Sequence, residues 1–286
     1  MKGVRPSFRD AALCAFMTLL VAAFFWRRLL WMGQLWWSDG LYSLSALVPV
    51  VSVAIAYAKR ERLRTLPGNP SPAGVVVVLA VTAVTVAADR LEILRSLTPL
   101  LLAGMLGGIV LALWGYAALK NLVFPIAFLL MLVPIPPILL ERIDLPLQVL
   151  CAKAVEAGSR LTGWHAQRFG SILVFPGSGT IEVAPACNGV RSAITMLMLS
   201  VLCAYLSRAR WYSKLAVVMA AVPMAYFANL VRLFGIASGA HFLGGWFLNH
   251  EQAFDRVFGL LVFCGCVAML LLWARTVKCA TFVETC

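Results

Sequence analysis

Cys187 stands in Glu182-Val183-Ala184-Pro185-Ala186-Cys187-Asn188-Gly189-Val190-Arg191-Ser192, where a polar loop leads straight into a long apolar run. That puts a thiol at the mouth of a helix. Helix starts carry partial positive charge and unpaired N–H groups, which favour thiolate over thiol, and the thiolate is the nucleophile. Cys187 is therefore a candidate for covalent chemistry, beside the plainer reading of a small hydrophobe packed near a membrane helix, which suits many of the eight cysteines. Two more polar groups need explaining. Arg232, in Asn229-Leu230-Val231-Arg232-Leu233-Phe234, interrupts an apolar run, where an arginine either serves function or snorkels to the headgroups. His250, in Asn249-His250-Glu251, precedes the last apolar run and has the side chain suited to proton transfer near neutral pH, although an exposed loop histidine often does nothing.

The elements that must position these residues are membrane helices. Hydrophobic residues make up 62% of the 286-residue chain and charged residues 13%, and the mean hydropathy is +0.90, which excludes a water-soluble domain. Apolar runs of near-spanning length occur at 11–26, 41–58, 72–88, 97–119, 122–140, 190–206, 215–236 and 257–274. The fold class is an all-α polytopic membrane protein of about eight transmembrane helices. The first run follows Lys2, Arg5 and Arg9 as a signal peptide would, but Arg27 and Arg28 occupy the place of a cleavage site, so it reads as a retained helix. The whole reads as one integral membrane domain, with N-terminal helices over 1–120, a core over 121–274 that holds the candidate residues and a short tail over 275–286.

Orientation follows from Lys and Arg, which crowd short cytoplasmic loops. Lys59, Arg60, Arg62 and Arg64 mark one such loop, and counting helices puts Lys120, Arg208, Arg210, Lys214, Arg275 and Lys278 on the same side. Arg27 and Arg28 fall on the outer side against the trend, and Arg90 and Arg95 are balanced by Asp89 and Glu92. The net charge of +12 is thus a topology signal, with no call for a nucleic-acid partner. The outer face then holds the two longest polar connections, 141–186 and 237–256, so function belongs there. The first follows proline-punctuated Phe124-Pro125 and Val133-Pro134-Ile135-Pro136-Pro137, continues as an amphipathic helix over 145–161, and reads as a β-hairpin pairing 171–175 with 180–183 across Pro176-Gly177-Ser178-Gly179. Such a hairpin would set Cys187 in place.

These residues resemble the exosortase/archaeosortase family of membrane-embedded cysteine transpeptidases. Val183 to Ser192 looks like the family's cysteine box, Asn229-Leu230-Val231-Arg232 like its arginine box, Phe124 to Leu130 running into Pro134-Ile135-Pro136 like its fifth helix, and Trp37 to Ser43 with Val48-Pro49 like its first outer segment. Leu44 stands where the family often has a histidine. The third catalytic position, a histidine or in archaeal members an arginine, corresponds to His250 or to Arg256, which precedes Gly259; His241 echoes the spacing less closely and His165 has no motif around it.

The resemblance implies attack by Cys187 on a peptide carbonyl to form a thioester, with Arg232 stabilising the oxyanion and His250 moving the proton. Asn188 and Gly189 would give a polar side chain and close backbone access beside the sulfur, or simply start the helix. Arg191, one turn beyond Cys187, adds positive potential, and Asn229 supports the arginine. No metal or cofactor is called for. The implied substrates are exported proteins ending in a short PEP-CTERM-like motif, a transmembrane helix and a basic tail, cut at the outer face of a bacterial inner membrane, often in bacteria that make exopolysaccharide; membrane lipids are the other partner. The competing class is a non-enzymatic transporter or polysaccharide-export assembly protein, since proline-broken helices also mark transport paths. A cysteine-dependent acyltransferase would share the nucleophile but need a lipid-length groove. Cys14, Cys203, Cys264 and Cys266 read as packing residues, Cys279 and Cys286 as reduced thiols, and Cys151 as sharing the outer side with Cys187, where a disulfide between them would silence the nucleophile.

Overall fold

The structure, a computed structural model, describes residues 16–17, 19–38, 41–88, 96–175, 179–183, 189–277 and 279. Cys187 and Asn188 lie outside the described residues, as do Cys14, Asp39, Gly40, residues 89–95, residues 176–178, Lys278 and Cys286. The chain divides into two compact units, one ending at Pro136 and the other beginning at Pro137.

In the first unit, α1 (Trp26–Ser38), α2 (Leu47–Ala58), the short α3 (Arg60–Arg64), α4 (Pro72–Ala88) and α5 (Thr98–Phe128) follow one another, and a 3-10 turn at Leu129–Leu132 closes α5. Arg27 and Arg28, expected in an outer loop, are instead part of α1. Arg28 is buried, donating to the Thr85 carbonyl at 3.0 Å and to Thr98 Oγ1 at 3.5 Å. Thr85 belongs to the last turn of α4, whose carbonyls have no partner within the helix, so the guanidinium finds an acceptor without reaching water.

The fourth and fifth apolar runs also part elsewhere than expected. Their junction is Gly115 (φ 79°, ψ −173°) rather than the Lys120 region. Only glycine takes this backbone without strain, and a β-carbon there would overlap the Asn69 carbonyl. Gly74 likewise lets α4 meet the backbone of α5 at Ala112. Tyr42 ties two segments of the family resemblance together, its hydroxyl accepting from the Ile135 N–H at 3.0 Å.

The second unit holds α6 (Pro137–Leu161), strands β1 (Gln167–Phe169), β2 (Ile172–Phe175) and β3 (Gly179–Glu182), α7 (Val190–Leu206) and α8 (Trp211–Thr276). The expected hairpin is present, pairing Phe175 with Gly179 and Leu173 with Ile181, and β1 adds a third antiparallel strand on the far edge of β2. The helix read from Leu145 begins earlier, at Pro137, where a missing N–H costs nothing.

The second outer connection, expected as a polar loop over 237–256, is helical. Only Gly244 (φ 53°, ψ −133°) leaves helical geometry, dividing α8 into two halves and placing His241 and His250 on helix rather than loop. Three helical stretches among the described residues are long and apolar enough to cross a membrane, Thr98–Leu132, Trp211–Gly244 and Gln252–Thr276, and three more are apolar but shorter, Ser43–Ala58, Pro72–Ala88 and Val190–Leu206. The architecture is that of a helical membrane protein, and eight crossings stay a reading of the sequence.

Replacing Gly115 by Ala should cost about 2 kcal/mol or more, from the left-handed backbone and the Asn69 overlap together. In detergent this lowers the thermal midpoint by roughly 4 °C or more; an unchanged midpoint would mean that the chain does not turn there.

Candidate active site

Val183 and Gly189, the described residues on either side of Cys187, are both anchored in the second unit. On the strand side, Val183 is 1% exposed and donates its N–H to the Ser171 carbonyl at 3.0 Å. It joins a core built from α6 (Cys151, Val155), the sheet (Leu173, Phe175, Ile181) and the first half of α8 (Leu233, Ile236, Ala240). Glu156 of α6 strengthens this join by pairing with Arg168 of β1 at 3.2 Å. On the helix side, Gly189 has φ +89° as it enters α7, and a β-carbon there would lie 3.3 Å from Asn229 Nδ2. The positive φ favours glycine at this point, and an added methyl would also press on the Asn229 side chain.

Asn229 is buried and connects Gly189 to two further groups. Its Nδ2 donates toward Cys151 Sγ at 3.8 Å, and Cys151 Sγ lies 3.7 Å from the Tyr226 hydroxyl. Cys151 is fully buried, and burial pushes its pKa above the ordinary thiol value of 9.0, with the contacts to Tyr226 and Asn229 working the other way. It is a neutral packing residue at physiological pH, with neither the exposure nor the charge state of a nucleophile.

One turn beyond Asn229 on the same helix is Arg232. Its Nε and Nη2 each donate to one carboxylate oxygen of Asp255, both at 2.6 Å, across the Gly244 break. The two side chains are 22% and 28% exposed, so the pair is partly dehydrated. Gly259, one turn after Asp255, forms the floor under the guanidinium: a β-carbon there would stand 3.2 Å from Arg232 Nε.

The pair lines a cavity of about 240 Å³ between α7 and the two halves of α8. Arg191, Ser192, Asn229 and Arg256 contribute its other polar walls, and Met196, Val262 and Phe263 are among its apolar ones. Three arginines and one aspartate therefore line the same small cavity. The balance is positive, which suits a thiolate or an oxyanion and offers no ligand set for a cation; among the described residues no cluster of His, Cys, Asp and Glu could hold a metal.

The expected site residues separate accordingly. Gly189, Arg191, Asn229, Arg232 and Arg256 are brought together, while Cys187 and Asn188 lie outside the described residues. His250 is not among the residues lining the cavity. It is exposed, its ring stacks on Trp246 at 4.7 Å, and its Nδ1 is 2.9 Å from the Trp246 carbonyl. His241 stacks on Trp164 at 5.1 Å within an aromatic group, and His165 is exposed. Asp255 is the residue that sequence reasoning passed over. An acidic side chain one turn before Gly259, at the edge of an apolar run, was the available signal.

A family model described as transmembrane exosortase matches residues 36–273, a range that contains every residue of this cavity. The chain belongs to the transmembrane exosortase family. Exosortases are in general sorting transpeptidases that act on protein substrates in membranes. No curated protein and no solved structure matches this exosortase.

The raised pKa of Cys151 has a defined sign. The fold favours its neutral form, so that stabilisation is complete below the ordinary thiol value and is lost as pH rises toward the higher folded value. Maleimide labelling followed by peptide mass analysis should leave Cys151 unmodified at neutral pH in the folded protein and modified after unfolding; ready labelling in the folded state would contradict this burial.

Proposed function

We propose that this exosortase cleaves the C-terminal sorting signal of exported proteins through a Cys187 thioester and passes the acyl group to an outside acceptor. The observation that carries the reading is the contact of Gly189 with Asn229, one turn from Arg232. Gly189 follows Cys187 by two residues, and chain connectivity limits their Cα separation to about 7 Å. The nucleophile is thereby tethered near a positively charged cavity.

In the proposed reaction the Cys187 thiolate attacks the carbonyl carbon of the scissile peptide. The carbonyl oxygen gains the charge, which Arg232 stabilises; as a permanent cation the guanidinium contributes charge and hydrogen bonds rather than a proton. Collapse breaks the C–N bond, and the departing amine takes up a proton, leaving a thioester on sulfur. An incoming nucleophile then attacks that thioester, releases the thiolate and gives up its own proton. Two residues are candidates for the third position. Arg256 is supported by its place in the cavity lining, where it adds to the field on the oxyanion. His250 is supported by its chemistry, since its imidazole can carry the proton that the amine takes. We favour Arg256 for the electrostatic role, with the proton exchanged with water at the membrane boundary.

The substrate reading has its own support. An almost wholly apolar groove of about 480 Å³ starts at Gly189 and runs along Val190, Ala193, Ile194 and Leu197 against Val222 and Pro223. It is suited to an apolar helix whose end reaches the Cys187 loop. The positive-inside pattern of the sequence supports an active site on the periplasmic side of a bacterial inner membrane, and PEP-CTERM-like proteins are the proposed substrates.

Co-expression with an exported reporter bearing a candidate sorting signal tests the reading. Cys187→Ala should abolish processing at normal membrane levels, and Arg232→Ala should slow it roughly 10²- to 10³-fold. Processing by Cys187→Ala at the wild-type rate would move the non-enzymatic transport or export-assembly reading to the front. Of the third-position candidates, Arg256→Ala should cost more than His250→Ala, and the reverse order would assign the role to His250.

A further inference from the structure

The sequence resemblance gave Asp255 no role, and Asp255 takes no step in the reaction above, yet it holds the residue on which that reaction depends. Arginine has four rotatable side-chain bonds, and near the edge of a membrane its head is drawn toward water and headgroups. Arg232 does not follow that course: both oxygens of Asp255 meet its Nε–Nη2 edge at 2.6 Å each. Side-on pairing of this kind fixes the plane of the guanidinium as well as its position. A second constraint acts from below. The bare Gly259 backbone lies where a methyl would come within 3.2 Å of Nε and 3.4 Å of Cδ, so the side chain lies flat over it.

The two constraints come from the same helix face, since Asp255 and Gly259 are one turn apart. They act from beyond the Gly244 break on a residue of the first half of α8. The pair is bidentate and its side chains are only 22% and 28% exposed, so it is screened less and held more firmly than an open surface pair. A bidentate clamp that sets the orientation of a cation in a cavity is suited to orienting that cation for chemistry.

We propose that Asp255 is a positioning residue for acyl transfer: with Gly259 as floor, it sets the plane and reach of the Arg232 guanidinium so that the edge turned away from Asp255 meets the developing oxyanion. The inference rests on the sorting-transpeptidase reading and on the role given there to Arg232. It also explains why a carboxylate stands in a cavity otherwise disposed toward anions, since it holds the guanidinium along one edge.

The test uses the full chain in detergent with the reporter, measuring kcat, KM and the thermal midpoint for Asp255→Asn, Asp255→Glu and Gly259→Ala, with Cys187→Ala as control. Asp255→Asn keeps the shape but offers one acceptor for two donors; its kcat should fall roughly 10- to 100-fold, the range expected when a reacting geometry is misplaced by about an ångström, with KM within about twofold of wild type. Asp255→Glu should recover most of that loss. Gly259→Ala leaves every charge in place yet presses on Arg232, and should lower kcat severalfold with the pair intact.

Asp255→Asn and Gly259→Ala with kcat within twofold of wild type would overturn the proposal, as would losses confined to KM or losses that only track the amount of folded protein. If Asp255→Asn does not accumulate in the membrane, Asp255→Glu and Gly259→Ala decide by the same criteria. An inactive Cys187→Ala beside unaffected Asp255 and Gly259 variants removes this inference alone, whereas an active Cys187→Ala removes the sorting reading and this inference with it.

Discussion

A guanidinium on an apolar helix must find either water or a counter-charge. Placing arginine at the centre of a membrane helix costs about 2.5–3.5 kcal/mol on insertion scales, less toward the ends, and a charge left unpaired after dehydration costs more. Arg232 meets this constraint through Asp255, with both oxygens at 2.6 Å. The rest of the second unit is arranged around that solution. Asp255 can reach Arg232 because α8 breaks once, at Gly244, and the halves approach closely because Gly235 and Gly239 leave room for Phe258 and Phe247.

The segment of Cys187 depends on the same helix through different contacts. Val183 enters a core that includes Leu233 and Ile236, which flank Arg232 on α8, and Gly189 packs on Asn229 one turn before it. A three-stranded sheet outside the apolar helices thus does mechanical work: it delivers the chain to Val183 at a fixed place. Cys151 lies in this framework as a buried neutral thiol, fitted between α6 and α8 beside Tyr226 and Asn229. The framework and the cavity are therefore continuous, and disturbing Asn229 disturbs both.

Much of this was legible in the sequence where a residue type is costly or conformationally restricted. Arg232 in an apolar run, the turn-rich segment between two β-like runs and the proline cluster before Pro137 each carry a local signal. What was not legible depends on partners far along the chain. Asp255 looks in sequence like one half of an adjacent charge pair with Arg256, and its true partner is 23 residues away. The polar stretch at Asn249-His250-Glu251 reads as loop because polarity is a poor guide once helix is continued by neighbours on either side, and only Gly244 had to break. Arg28 followed an apolar run as an outer flank would, yet the free carbonyl of Thr85 at the end of α4 gave it a buried acceptor. β1 is three residues long and becomes a strand only because β2 offers it an edge.

The central claim is that the Cys187 thiol and the Arg232 position share one small site, and proximity can be read directly. With the other cysteines replaced and Arg232→Cys introduced, a short thiol-to-thiol crosslinker of about the reach of an arginine side chain should join positions 187 and 232 in folded protein in membranes, and should fail to join them after unfolding. Absence of that crosslink in folded protein, with both thiols shown to be reactive singly, would contradict the account.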